Sequence, residues 1–169
     1  RRVEAWLDPW SDVADTGYQI AQSLFAVGTG GWMGMGLDQG LPEKIPVVEK
    51  DFMISAISEE LGGLFAICLI LICLGCFLQF MMIAVRMQAM FYKLIAFGLG
   101  CEYIIQVLLT VGGAVKFIPL TGMTLPLVSY GGSSIAGTFI LFSVIQGLYI
   151  LKRNEEEEDE EEWSESKGK

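Results

Sequence analysis

One aspartate, Asp51, stands in the segment Lys44-Ile45-Pro46-Val47-Val48-Glu49-Lys50-Asp51-Phe52, which leads through Ser58-Glu59-Glu60-Leu61-Gly62 into 25 uncharged, mostly apolar residues, Leu61 to Val85. A carboxylate at the foot of an apolar helix is partly desolvated, which raises its affinity for a proton and suits it to act as a general base toward a hydroxyl. The same spacing has a structural reading, in which Asp51 caps the helix and Glu59 and Glu60 complement the positive end of its dipole. Two further constellations could bind a substrate. Glu102 and Gln106 lie one helical turn apart inside another apolar stretch, where an ionisable group is costly and faces protein or a water-filled cavity. The run from Lys116 through Pro119, Thr121-Gly122 and Leu125-Pro126 to Ser129-Tyr130-Gly131-Gly132-Ser133-Ser134 is broken backbone, tolerated at membrane depth only when buried in protein or lining a cavity. Ser133 or Ser134 can cap the helix that follows, aiming backbone donors at phosphate oxygens, and Lys116 can add a point charge to a diphosphate.

The elements that must hold these groups are membrane helices. Hydrophobic residues make up 53% of the 169-residue chain and charged residues 18%, and the apolar residues come in blocks rather than stripes. Leu61 to Val85 would span about 37 Å as a helix, enough for a hydrocarbon core of roughly 30 Å. Leu94 to Val115 is a second block, interrupted by Glu102. Phe117 to Leu151 carries no charge, but Pro119, Pro126, Gly131 and Gly132 confine its helix to Ser134–Leu151. The reading is an all-α multi-pass membrane protein with three transmembrane helices and a long extracellular loop region. It divides into a loop region with a short amphipathic helix (1–53), spans at 54–85, 94–115 and 134–151, a cytoplasmic loop (86–93), an extracellular re-entrant loop (116–133) and an acidic, disordered cytoplasmic tail (152–169).

Charge and cysteine usage remove other classes. The net charge of −9 is concentrated in the tail, where Glu155 to Glu162 are eight consecutive acids; like charges so placed repel one another and form no core. A near-neutral body with an acidic tail gives no footing for nucleic acid. The chain has no histidine, so imidazole bases and ligands are excluded, and Cys68, Cys73, Cys76 and Cys101 all fall in apolar blocks where they read as small core filler. No metal site is assigned from the residues. Arg86, Lys93, Lys152 and Arg153 flank the spans on one side and mark it as cytoplasmic, which puts residues 1–53 and the 116–133 loop outside. Within the first region, Ile20, Ala21, Leu24 and Phe25 have the spacing of a short amphipathic helix with Asp15 or Thr16 as cap. The stretch Gly28-Thr29-Gly30-Gly31-Trp32-Met33-Gly34-Met35-Gly36 permits close backbone approach and positive φ, and is no dinucleotide fingerprint. The chain opens in mid-loop composition and reads as the carboxy-terminal part of a longer protein.

Five ordered blocks resemble one known family, the SEDS proteins (shape, elongation, division and sporulation), the group of FtsW, RodA and SpoVE. They are Trp6-x-Asp8-Pro9-Trp10 with Asp12; Gly17-Tyr18-Gln19-x-x-Gln22-Ser23-Leu24; Gly30-Gly31-x-x-Gly34-x-Gly36; Lys50-Asp51-Phe52 with Glu59-Glu60-Leu61-Gly62; and Pro119-x-Thr121-Gly122 through Leu125-Pro126 to Ser129-Tyr130-Gly131-Gly132-Ser133-Ser134. Lys50, Thr110 and Leu127 depart from the usual pattern.

The resemblance implies the carboxy-terminal part of a ten-helix fold in the bacterial cytoplasmic membrane, here the fourth extracellular loop and helices eight to ten. It implies a peptidoglycan glycosyltransferase that polymerises lipid II, in division or shape maintenance, with a class B penicillin-binding protein and an undecaprenyl-linked glycan strand as partners. The family's essential aspartate falls on Asp51, and a divalent cation, Mg or Mn, could neutralise the diphosphate leaving group. Glu59, Glu60, Lys116, Ser133 and Ser134 are then candidate substrate contacts, and the fragment alone is expected to be inactive. Two other readings stand beside it, a lipid-linked precursor transporter with Glu102 and Gln106 along its path, and a non-catalytic scaffold for the transpeptidase.

Overall fold

The computed structural model describes residues 6–8, 16–37, 39 and 52–167. Its helices are α1 (Thr16–Gly30), α2 (Met53–Glu60), α3 (Gly63–Arg86), α4 (Met90–Ala114) and α5 (Gly132–Lys167). Helices α3, α4 and the first 27 residues of α5, Gly132–Glu158, are each long and apolar enough to cross a membrane. The segment expected as one span over 54–85 is two helices. Leu61 ends α2, and Gly62 turns the chain into α3 with φ +91°, a conformation that only glycine adopts without strain.

Most of each span's surface faces outward, with Leu71, Ile72, Phe97 and Ile140 exposed. Lipid is as apolar as these side chains, so the helices gain little from hiding them and associate through shape and packing instead. The three spans meet at Phe80 of α3, Tyr103 of α4 and Phe142 of α5, whose rings stack edge to face at centroid distances of 5.3 to 5.8 Å.

At the Ala114 end of α4, the short helices pack on the spans. The buried stripe of α1 runs through Ile20, Ser23, Ala26 and Gly30, while Phe25 is exposed and Leu24 half-buried. Of the expected apolar face, Ile20 and Ala21 are buried, whereas Leu24 and Phe25 give way to Ser23 and Ala26. Small residues win that face because α1 lies very close to its neighbours. Ser23 Oγ donates to Ala114 O at 2.8 Å, so the 2.6 Å bond between Ser23 and Ser55 takes its proton from Ser55. One buried hydroxyl pair therefore ties α1, α2 and the end of α4 together.

The acidic segment 152–169, expected to be a disordered tail, continues α5 as helix to Lys167. Nucleation, the costly step of helix formation, is already supplied by the span, and glutamate is a good helix former. Lys152 to Glu156 (3.0 Å) and Arg153 to Glu157 (2.8 Å) add one-turn ion pairs at the junction.

Candidate functional site

Two neighbouring constructions carry the residues singled out from sequence. The first is a corner between the glycine-rich segment and the α2–α3 junction. Met35 N–H donates to Glu59 O (2.9 Å), Gly36 N–H to Glu60 O (3.0 Å) and Gly63 N–H to Gly31 O (2.8 Å), so the two backbones are laced directly together. A Cβ on Gly30 would strike the Ser58 carbonyl, one on Gly34 the Glu60 carbonyl, and one on Gly62 the Trp32 carbonyl. The obstacles are backbone atoms, which cannot rotate away. The sequence marked these glycines for close approach; the structure supplies what they approach. Glu59 is buried and Glu60 half-buried in this corner. Asp51, the candidate base, lies outside the described residues. The residue after it, Phe52, is fully buried and occupies the N-cap register of α2 without a side-chain cap, its carbonyl accepting from Ser55 and Ala56.

The second construction is a groove of about 790 Å³ between α4, α5 and the connection 115–131, lined among others by Glu102, Tyr103, Gln106, Thr124, Tyr130, Ser133, Ser134 and Thr138. Four residues separated by up to 32 positions in sequence thus come together as expected candidates: Glu102, Gln106, Ser133 and Ser134. Their convergence depends on how the connection folds back. Gln106 Nε2 donates to Thr124 O (2.9 Å) and, at longer range, to Ser134 Oγ (3.5 Å); Thr124 Oγ1 donates to Ser134 Oγ (2.6 Å). Thr110 Oγ1 is shared between Gln106 O (2.9 Å) and Met123 O (3.1 Å). Gln106 is eight residues from the end of α4, about 12 Å along the helix. The connection therefore re-enters alongside α4 before α5 begins, and its freed backbone groups are met by side chains, as broken backbone in a membrane requires.

Ser133 and Ser134 differ from the capping role expected of them. Helix α5 begins at Gly132, its first bond running from Ile135 N–H to Gly131 O (2.8 Å). Ser134 spends its hydroxyl oxygen on Thr124 and Gln106, while Ser133 is exposed. Among the described residues lining the groove, Glu102 is the charged one. A carboxylate in the same recess opposes a phosphate seat there.

Lys116 is not in the groove. Phe117 N–H bonds to Gly112 O (2.8 Å) and Lys116 N–H to Gly113 O (3.3 Å), the pattern of a Schellman ending, with Lys116 at φ +60° in the place usually held by glycine. Its carbonyl accepts a 3.0 Å bond from Trp6 Nε1. Thr124, Tyr130 and Thr138 were not singled out from sequence as substrate contacts, although the first two lie within the block that carries the family resemblance. Among the described residues no three His, Cys, Asp or Glu side chains are grouped to hold a metal ion.

Comparison with known proteins accounts for these blocks. Residues 1–154 match the family model for cell cycle proteins of the FtsW, RodA and SpoVE type. The chain is 42% identical over 144 residues to the peptidoglycan glycosyltransferase RodA of Mycobacterium tuberculosis, covering 85% of this chain and 31% of that protein. It is 38% identical to the protein of that name from Mycobacterium leprae, with the same coverage. It is 41% identical over 157 residues to the probable peptidoglycan glycosyltransferase FtsW of Aliivibrio salmonicida, covering 89% of this chain and 38% of the relative. The chain thus spans about a third of the length of these relatives. Three apolar helices, the laced glycine corner and the re-entrant groove are the local structure of the matched residues, and the chain belongs to the FtsW/RodA/SpoVE cell cycle protein family, as a multi-pass protein of the bacterial cytoplasmic membrane.

Proposed function

We propose that the protein of which this chain is part is a peptidoglycan glycosyltransferase that polymerises lipid II on the outer face of the membrane. The observation that carries the reading is the 42% identity to a RodA bearing that name, over 85% of this chain. In the proposed reaction Asp51 accepts the proton of the acceptor sugar's 4-hydroxyl. The resulting oxygen nucleophile attacks the anomeric carbon of the lipid-linked donor, a new glycosidic C–O bond forms, and the bond to the diphosphate breaks. Undecaprenyl diphosphate departs with the electron pair. The α2 register favours chemistry over capping for Asp51, because the N-cap position belongs to Phe52.

Glu59 and Glu60 are proposed to fix the corner that ends the helix following the base, the first buried and the second half-buried. Lys116, held by its helix-ending backbone, is proposed to supply positive charge toward the leaving diphosphate, and Ser133, exposed on the groove lining, is proposed as a substrate contact. The described residues offer no donor set for a Mg or Mn ion, so no step is assigned to one. A class B penicillin-binding protein is the proposed partner, using the glycan product.

The test is direct. Purified full-length protein, with and without its transpeptidase partner, is given labelled lipid II and the products are separated by size. Long glycan polymer supports the reading. Translocation of lipid II across vesicles without polymer would replace the enzyme with a transporter, and neither product would leave a scaffold.

A further inference from the structure

We propose that the α4–α5 groove is a seat for the uncharged saccharide of a lipid-linked substrate, and that Glu102 keeps the diphosphate out of it. The inference rests on the glycosyltransferase reading for the identity of the sugar and on the groove itself for the selectivity. At about 790 Å³ the groove lies within the roughly 300–1,000 Å³ range of sites that take small molecules. Its polar lining is made of hydroxyls, an amide and one carboxylate, from Thr124, Tyr130, Ser133, Thr138, Gln106 and Glu102. These groups give and accept hydrogen bonds in the manner of sugar hydroxyls and acetamido groups.

Charge decides against the alternative ligand. A diphosphate brings negative charge into a recess whose one charged lining group among the described residues is also negative, in surroundings less polarisable than water, where repulsion between like charges grows. Glu102 has no ion pair with any described residue and is exposed to the groove. Tyr130 is 69% exposed and stands on the lining, where the flat face of a phenol can pack against the C–H face of a pyranose. Gln106 and Ser134 hold the wall in place through Thr124, which leaves Glu102, Tyr130 and the exposed Ser133 open to a ligand.

The experiment uses the full-length protein in nanodiscs with two soluble probes, an N-acetylglucosamine–N-acetylmuramic acid disaccharide that lacks lipid and phosphate and has its lactyl carboxylate capped as an amide, and inorganic pyrophosphate. Saturation-transfer NMR reads contact of each, and competition reads whether they share a site. The disaccharide is expected to bind and pyrophosphate to leave it undisturbed. Glu102→Gln and Tyr130→Ala, neither of which touches a hydrogen bond of the wall, should each weaken the disaccharide by about tenfold or more, the loss of one strong contact. Glu102→Lys should let pyrophosphate compete. Pyrophosphate competing in the native protein would overturn the proposal, as would disaccharide binding unchanged in both Glu102→Gln and Tyr130→Ala. A protein that binds the disaccharide as expected yet makes no polymer would fail the glycosyltransferase reading alone, whereas one that polymerises with these binding results reversed would fail this inference alone.

Discussion

Adding one methyl group to Gly30 tests the laced corner more sharply than any deletion. A Cβ there would strike the Ser58 carbonyl oxygen and lie 2.7 Å from Glu59 Cα, whereas a Cβ on Gly28, two residues earlier in the same helix, meets nothing within 4 Å. Both substitutions bring the same helix-forming gain, roughly 0.5–1 kcal/mol of alanine over glycine. At Gly28 that gain stands alone, so Gly28→Ala should be neutral or slightly stabilising. At Gly30 the backbones of α1 and α2 must part. Overpacking costs about 1–3 kcal/mol, and parting strains the buried Ser23–Ser55–Ala114 chain, whose bonds are worth about 1 kcal/mol each. The expected net loss is about 2–4 kcal/mol, taking these terms together. Thermal unfolding of the full-length protein in nanodiscs, followed by tryptophan fluorescence, should show Gly30→Ala several degrees below Gly28→Ala. Equal unfolding temperatures for the two variants would mean that α1 and α2 do not approach as described.

Three other outcomes follow from the same contacts. Ser23→Ala leaves the Ala114 carbonyl without its donor and should cost about 1–3 kcal/mol in the same unfolding assay, with Ser23→Ala/Ser55→Ala costing less than the two single changes added together. Lys116→Gly removes a cation while relieving a left-handed backbone, so it should hold or raise stability by about 0.5–1 kcal/mol; polymerisation should nevertheless fall if Lys116 stabilises the leaving diphosphate. Phe80→Ala empties the meeting point of the three spans. Because lipid is as apolar as a core, the transfer part of the usual roughly 3–5 kcal/mol largely vanishes, leaving about 1–2 kcal/mol of lost packing, readable as an earlier unfolding transition.

Blocks of apolar residues made the three spans legible, because hydrocarbon thickness fixes how long such a block must be. Glu102 and Gln106 were legible as one face of a helix for an equally local reason. The groove was not, since it forms only when Thr124 and Ser134 return to Gln106, contacts 18 and 28 residues apart that no local periodicity encodes. The glycines after α1 announced close packing but not its partner, which lies beside Glu59 and Glu60 across the connection. The division of the first expected span at Gly62 was hidden because Leu61 and Gly63 read as part of the apolar run, and a single positive φ has no hydropathy. The helical tail is hidden for the opposite reason. Its repelling charges are outweighed by the helix already nucleated upstream. Apolar spacing places Leu24 and Phe25 on the buried face of α1 beside Ile20 and Ala21, yet the close approach of α2 selects Ser23, Ala26 and Gly30 in their stead.

The role of Asp51 is tested most directly by comparing native protein with Asp51→Asn and Asp51→Glu in the lipid II polymerisation assay, while measuring lipid II binding separately. Removing a positioned general base should lower kcat by about 10²–10⁴-fold, leaving binding and unfolding temperature near native, with Asp51→Glu recovering part of the rate. Polymerisation by Asp51→Asn at the native rate would contradict the assignment of that carboxylate as the base.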